Sequence, residues 1–217
     1  MARRSFLSRL GAGATVVGAT MVAGGSTGEA QSGSVAGWQP GRHTQDDWLD
    51  QIPGRHRLVF DTTTTRGLAS AMLYVNNYFR GNQTGYGLKD SDLAVVIVVR
   101  HNSTAFAYND AIWMKYASTL ARSAEYTDAD GKPSPTANPY LSGEGVALGA
   151  LAKRGVHLAV CQLATRRFAG VIANGGDVDA VYSELVSNLV PNSHMVPAGI
   201  VAVSRAQERG YTFANAG

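Results

Sequence analysis

Seven consecutive apolar residues near the middle of the chain constrain its fold more than any other feature of the sequence. The segment 93–99 reads LAVVIVV, and five of its seven residues are β-branched. β-Branched side chains favour strands, and a strand that is apolar at every position is buried on both faces. Strands of that kind lie in the centre of a parallel sheet that is covered by helices. The sequence therefore predicts an α/β fold built around this segment.

Strand-like and helix-like segments alternate on either side of that run. Further strands are predicted at 58–60, 156–161, 195–196 and 211–213, and helices at 66–80, 110–122, 143–153, 163–173, 178–189 and 200–209. This alternation predicts a flavodoxin-like parallel five-stranded sheet with helices on both faces. The chain has 217 residues, 45% of them hydrophobic, which is enough to bury the core of one such domain. We place that domain at 55–217.

The first thirty residues have the three parts of a secretory signal peptide. Arg3 and Arg4 form a basic start, an uncharged stretch follows at 11–25, and small residues surround Ala30. The run RRSFL at 3–7 resembles a twin-arginine export signal. We therefore expect residues 1–30 to be a twin-arginine-type signal peptide that directs the protein to the periplasm or another extracytoplasmic compartment. The next segment, 31–54, is interpreted as an extended arm or linker.

Most of the chain's basic character comes from that signal. The formal net charge is +3, and residues 1–30 hold three of the 19 basic and one of the 16 acidic side chains, so the remainder carries about +1. No later segment has the cluster of Lys and Arg that a nucleic-acid surface needs. The uncharged stretch of the signal is shorter than the ~20 residues of a membrane span. We expect no nucleic-acid partner, and no membrane span after the signal is removed.

Two residues that could carry chemistry are predicted at the carboxyl ends of strands, where parallel sheets bind ligands. Cys161 ends a strand and precedes a predicted helix, whose positive N-terminal end favours a thiolate. His101 follows the apolar run and can donate or accept a proton near neutral pH. Arg166 and Arg167, about a turn further along the predicted helix, add positive charge. The catalytic interpretation, Cys161 with His101, stands beside a structural one, because an unpaired cysteine also packs as a small hydrophobe.

A second candidate site is the polar stretch after the first strand. Thr62, Thr63 and Thr65 offer hydroxyl groups, Arg66 follows them, and Arg100 ends the apolar run. Hydroxyl and backbone N–H groups that lead into a helix can bind an anion, so these five are the predicted anion- or ligand-binding residues. The other interpretation is a loop that only caps the next helix. No cofactor is expected, with a flavin or a phosphate group as the open alternative.

Cysteine and histidine usage bears on metals and disulfides. The chain has a single cysteine, and its five histidines have no spacing typical of metal ligands. We therefore predict neither an intramolecular disulfide nor a metal site.

Four segments of the C-terminal third carry a family resemblance. They are VHLAVC at 156–161, LVP at 189–191, VPAGIVA at 196–202 and QERGY at 207–211. Together they resemble the DsrE/DsrF-like family. The resemblance implies a flavodoxin-like α/β fold, a homo-oligomer such as a trimer or hexamer, and a sulfur relay with a donor or acceptor protein. In that relay the equivalent of Cys161 carries a persulfide.

Two classes of function stay open at this point. The first is an exported cysteine-persulfide sulfur carrier or sulfurtransferase-like protein. The second is a non-enzymatic oligomeric module that binds a small ligand or an anion, with Cys161 only structural. Either would suit an oligomer, because the predicted helix at 110–120 is apolar around most of its circumference and so would be buried on more than one side. Its apolar residues are Ala111, Ile112, Trp113, Met114, Tyr116, Ala117 and Leu120.

Overall fold

Five parallel strands form one sheet in the order β4-β3-β2-β1-β5. The computed structural model describes residues 37, 39–127, 135–143 and 146–216. The strands are β1 (His56–Thr62), β2 (Leu93–Val99), β3 (Val156–Cys161), β4 (Ser193–Val196) and β5 (Thr212–Asn215). The helices are α1 (Trp48–Gln51), α2 (Thr65–Tyr86), α3 (Asp110–Ser123), α4 (Leu148–Lys153), α5 (Gln162–Ala173), α6 (Val178–Ser187) and α7 (Gly199–Glu208). The predicted signal peptide, 1–30, lies outside the described residues.

Strand β2 occupies the centre of the sheet, as its apolar sequence predicts. It pairs with β1 on one side and with β3 on the other, and all seven of its residues are buried. Its side chains alternate between two cores: Val95 and Ile97 lie in the first, Val96 and Val98 in the second. Burying a valine or isoleucine side chain contributes about 1.5–3 kcal/mol, so this strand is a main source of the free energy of folding.

Helices cover both faces of the sheet. On the first face α2 and α5 bury Phe79 and Phe168, and on the second face α1 and α7 bury Leu49 and Val203. The predicted flavodoxin-like α/β architecture, five parallel strands with helices on both faces, is therefore confirmed. The strand order here is 4-3-2-1-5, whereas flavodoxin itself has 2-1-3-4-5, because in this chain the last strand lies beside the first.

The chain leaves the neighbouring strands β3 and β4 toward opposite faces of the sheet. After β3 it enters α5, whose Phe168 lies in the first core. After β4 it enters α7, whose Val203 lies in the second core. Where successive connections diverge in this way, a parallel sheet has a crevice outside the carboxyl ends of its strands. This divergence positions the candidate site.

The segment before β1, which the sequence indicates as an extended arm, has regular structure from residue 44. A 3-10 turn at Thr44–Asp46 leads into α1, and Leu49 and Ile52 are buried in the second core. Asp50 of α1 also lies 3.3 Å from the guanidinium of Arg209. A four-residue helix is too short to show an apolar period, so the sequence pattern did not reveal it. Residues from Pro40 onward form one compact unit.

Candidate functional site

A cavity of about 210 Å³ lies at the carboxyl edge of the sheet, in the crevice between α5 and α7. Its lining comes from the ends of β2 and β3, from the first two turns of α5 and from the start of α7. Arg100, His101, Cys161, Arg167 and Gly199 are among the lining residues. The structure thus brings Cys161 and His101, predicted from separate strands, to one cavity.

Cys161 is both the last residue of β3 and the N-terminal cap of α5. Its Sγ accepts a hydrogen bond from the backbone N–H of Ala164 at 3.5 Å. The residue is buried, with 6% of its surface exposed, yet it lines the cavity. The sulfur therefore faces the N-terminal end of α5, where the helix dipole is positive.

Arg100 is held rigidly at the end of β2. Its Nε and Nη2 donate hydrogen bonds of 2.8 Å each to the two carboxylate oxygens of Asp61, which is buried at the end of β1. The hydrogen bond to Asp61 raises the pKa of Arg100, so its charge is permanent. Gly199 completes the clamp, because an ideal Cβ at that position would lie 2.7 Å from the Cβ of Arg100. Arg100 therefore presents a fixed guanidinium to the cavity.

His101 turns the chain sharply after β2. Its φ of 53° is in the left-handed region, and a 3-10 helix, His101–Ala107, begins there. The side chain is exposed and lines the cavity. Its backbone carbonyl accepts a hydrogen bond of 3.5 Å from Nη2 of Arg167, whose guanidinium also lies 3.4 Å from Oδ1 of Asn102. Arg167 thereby bridges α5 and the end of β2.

The threonine residues after β1 already form hydrogen bonds within the protein. The hydroxyls of Thr62 and Thr65 donate to backbone carbonyls at 2.8 and 2.6 Å, and the hydroxyl of Thr64 caps α2 by accepting a hydrogen bond. Thr63 accepts two backbone N–H groups from the 3-10 helix after β2, and Arg66 is exposed. Of the five predicted anion-binding residues, Arg100 lines the cavity, whereas Thr62, Thr63, Thr65 and Arg66 are not among its lining residues.

Two residues that position the site escaped the sequence-based prediction. Asp61 and Gly199 both follow or end strands, so their location at the carboxyl edge was visible, but their roles depend on which strands are neighbours. Asp61 meets Arg100 because β1 and β2 pair in register. Gly199 meets Arg100 because α7 crosses the sheet above β2. The signal in the sequence was an acidic and a basic residue at the ends of consecutive strands.

A second cluster of titratable groups lies toward the amino ends of β3 and β4. Nδ1 of His157 and Nε2 of His194 are 2.9 Å apart, and Trp48 stacks on His194 with ring centroids 4.0 Å apart. Burial lowers the pKa of His157. Burial, followed by the charge of His157, lowers the pKa of His194 to about 4. Both rings are therefore neutral at pH 7, and one donates its N–H to the other.

The described residues contain neither a cluster of metal ligands nor a membrane-spanning helix. No group of three or more His, Cys, Asp or Glu side chains in that part of the chain could hold a metal ion. No helix there has the length and apolar character to cross a membrane.

Comparisons with known proteins leave the function to be inferred from the site. No family model matches the sequence, and no curated protein matches it. Among solved structures, the chain is similar to a protein of unknown function, MTH1491, from Methanobacterium thermoautotrophicum. The two are 15% identical with a TM-score of 0.39, and the aligned region covers 74% of this chain and 98% of that one.

Proposed function

We propose that this chain is an exported DsrE-like protein that acts as a cysteine-persulfide sulfur carrier or sulfurtransferase-like protein, with Cys161 as the sulfur-carrying residue. The observation that supports this most directly is the setting of the sulfur atom. It lines a cavity at the carboxyl edge of the sheet and accepts a hydrogen bond from the first turn of α5. Access for a second molecule and stabilisation of negative charge are the two conditions that a nucleophilic sulfur needs.

Sulfur loading at Cys161 is a simple exchange. The thiolate attacks the outer sulfur of a donor persulfide, and a new S–S bond forms. The donor's own S–S bond breaks, and the donor thiolate leaves with the electron pair. Cys161 then carries the persulfide, and no oxidant or reductant is consumed. Attack by an acceptor thiol on the outer sulfur of Cys161 completes the transfer, with a donor or acceptor protein as the partner.

His101 and Arg100 have supporting roles in this proposal. The exposed imidazole of His101 lines the same cavity and takes the proton from the thiol as the thiolate forms. Arg100 supplies a fixed positive charge, since its hydrogen bonds to Asp61 prevent it from turning away. A positive charge beside sulfur favours the thiolate.

Intact-mass analysis tests the proposal directly. The purified chain is incubated with glutathione persulfide and then weighed. We expect a gain of one sulfur atom that a reducing agent removes and that the Cys161→Ser variant lacks. A wild-type chain that gains no sulfur under conditions that load a known sulfurtransferase would contradict the proposal.

A second candidate function is a non-enzymatic module that binds a small ligand or an anion, with Cys161 structural. The observation in its favour is the 6% exposure of Cys161, which is typical of a packed thiol. Alkylation separates the two functions. Native protein whose Cys161 reacts with iodoacetamide only as fast as global unfolding exposes it would favour the binding module.

The proposed protein is a homo-oligomer, a trimer or hexamer, in an extracytoplasmic compartment. Large apolar side chains on three different helices support association: Met114 is 70% exposed, Leu163 66% and Ile200 58%. Association of copies of the chain would bury such side chains, which is favourable. Light scattering at micromolar concentration gives the mass of the particle, and a monomer mass would contradict the proposed oligomer.

Replacing Arg3 and Arg4 together by lysine should block export.

A further inference from the structure

The cavity beside Cys161 is lined by two arginines, of which only Arg100 is paired with a carboxylate, that of Asp61. Arg100 and Arg167 both line it, and no aspartate or glutamate is among the described residues of its lining. The carboxylate of Asp61, which binds Arg100, is buried behind the guanidinium with 8% of its side chain exposed. A molecule that enters the cavity therefore meets the cations and not the carboxylate.

Arg100 is arranged to receive a ligand without rearrangement. Asp61 occupies its Nε and Nη2, so Nη1 takes no part in that pair. The backbone of Gly199 packs against the aliphatic part of the side chain and limits its rotamers. A guanidinium fixed before binding loses little side-chain entropy when it forms a hydrogen bond.

Arg167 supplies the charge that is not compensated. Its guanidinium lies over the ring of Phe168 at 4.5 Å and donates long hydrogen bonds to His101 and Asn102, both neutral acceptors. It forms no ion pair with any residue that the structure describes. The neighbouring Arg166, by contrast, is paired with Asp179 and stacks on Tyr182. Arg167 is thus the arginine of this helix that remains available to an anion.

The size and the remaining walls of the cavity limit the ligand. Its volume of about 210 Å³ is below the ~300–1,000 Å³ of pockets that enclose drug-sized molecules. Leu163, Ala164, Ala198 and Ile200 make the other walls apolar. Two cations and apolar walls in a small volume fit a compact molecule with one anionic end.

We propose that the Cys161 cavity binds a small oxyanion with a short apolar body, such as a carboxylate or a sulfonate, and that Arg100 and Arg167 recognise its charged end. This inference rests on the proposed function, because it assumes that the sulfur compound reaches Cys161 through this cavity. It adds the chemical class of the molecule that binds there.

Iodoacetate and iodoacetamide test the proposal, because they have nearly the same shape and differ in charge. Both alkylate Cys161, and the measured quantity is the ratio of their rates, with glutathione as the reference thiol. We expect the ratio of the iodoacetate rate to the iodoacetamide rate to be about tenfold higher for Cys161 than for glutathione. This factor is smaller than the rate difference that two unscreened positive charges would produce. Arg167→Gln, an exposed and structurally mild change, should lower the ratio several-fold, and Arg100→Gln should lower it further. The matched control Arg80→Gln, on the exposed side of α2, should leave it unchanged.

A ratio equal to that of glutathione, or one that Arg167→Gln and Arg100→Gln leave unchanged, would overturn the proposal. If neither reagent reacts, binding is read by NMR in the Cys161→Ser variant. Acetate and methanesulfonate should each shift the amide signals of Gly199 and Ile200, whereas neutral acetamide should not, and the stronger of the two anions identifies the head group. Equal shifts from acetate and acetamide would refute anion recognition. If the chain prefers anions but gains no sulfur from a persulfide donor, the anion site is supported and the sulfur-carrier function is refuted.

Discussion

Gly199 lies so close to Arg100 that no side chain fits between them. An ideal Cβ on Gly199 would be 2.7 Å from Cβ and 2.8 Å from Cδ of Arg100, and 3.0 Å from Cγ1 of Val98. The start of α7 therefore holds the arginine against the end of β2. The positions of the helix and of the guanidinium depend on each other.

Gly199→Ala should destabilise the fold by about 1–3 kcal/mol, because the added methyl group forces Arg100 or the first turn of α7 to move. Urea denaturation measures the change. Gly81→Ala is the matched control, since Gly81 lies in α2 with no atom within 4 Å of its ideal Cβ. That change should raise stability by about 0.5–1 kcal/mol. A neutral effect of Gly199→Ala would mean that the clamp on Arg100 is loose.

Asp61→Asn should cost roughly 3 kcal/mol of stability. It removes the charge that Arg100 faces through two hydrogen bonds, and breaking a buried ion pair costs about 3–5 kcal/mol. We expect the low end of that range because the Arg100 side chain is 21% exposed. As a control, Asp179→Asn breaks a pair whose carboxylate side chain is 85% exposed, and should change stability by less than ~1 kcal/mol. Equal effects of the two substitutions would contradict the buried pair.

Stability should fall as the pH is lowered from about 6.5 toward 4. The pKa of His194 is lowered from 6.5 to about 4 in the folded chain, and that of His157 is lowered too. The unfolded chain therefore binds protons in this range that the folded chain excludes, which favours unfolding. Above pH 6.5 both states are neutral at these positions and the effect vanishes. Unfolding curves from pH 4 to 8 measure it.

His194→Phe should flatten that pH dependence, because phenylalanine keeps a ring against Trp48 and cannot be protonated. His56→Gln, at an exposed residue of β1, is the control and should leave the dependence in place. A slope that is the same in His194→Phe and in the wild type would assign the acid sensitivity to other groups.

Replacing His101 should slow alkylation of Cys161 several-fold without unfolding the domain, because the side chain is exposed. Two variants separate the imidazole from the backbone. His101→Ala keeps the strain of a left-handed φ, whereas His101→Gly relieves about 1 kcal/mol of it. If both variants slow the alkylation of Cys161 equally, the loss of the imidazole is the cause. If the alkylation rate instead follows the stability of each variant, the backbone turn at residue 101 is the cause.

The sequence predicted the parts of the fold whose signals are local. The bounds of β2 follow from a continuous apolar run and those of β3 from a run interrupted only by His157, and both agree with the structure. Asn109 directly precedes α3 and caps it: its Oδ1 accepts hydrogen bonds from the N–H groups of Ala111 and Ile112. Each of these signals lies within a few residues of the element that it specifies.

The parts that could not be predicted depend on residues far apart in the sequence. The pair of Arg100 and Asp61 joins positions 39 residues apart, and it exists only because β1 and β2 are neighbours. The strand order has no local signal, because apolar strands can pair in several orders. The position of α1 also has no local signal. The hydroxyl of Tyr211 donates a hydrogen bond of 2.7 Å to the carbonyl of Leu49 in this helix, and the two residues are far apart in the sequence.

β1 is the first strand of the sheet to be synthesised, but one of its two neighbours, β5, is synthesised much later. Thr212 of β5 donates its hydroxyl to the carbonyl of Arg57, a residue 155 positions earlier in the chain. One edge of β1 therefore stays open until β5 has also left the ribosome. During that time its backbone groups are available to other chains, as at any unprotected edge strand. The interval between the synthesis of β1 and that of β5 is therefore the period in which this sheet is most open to pairing with other chains.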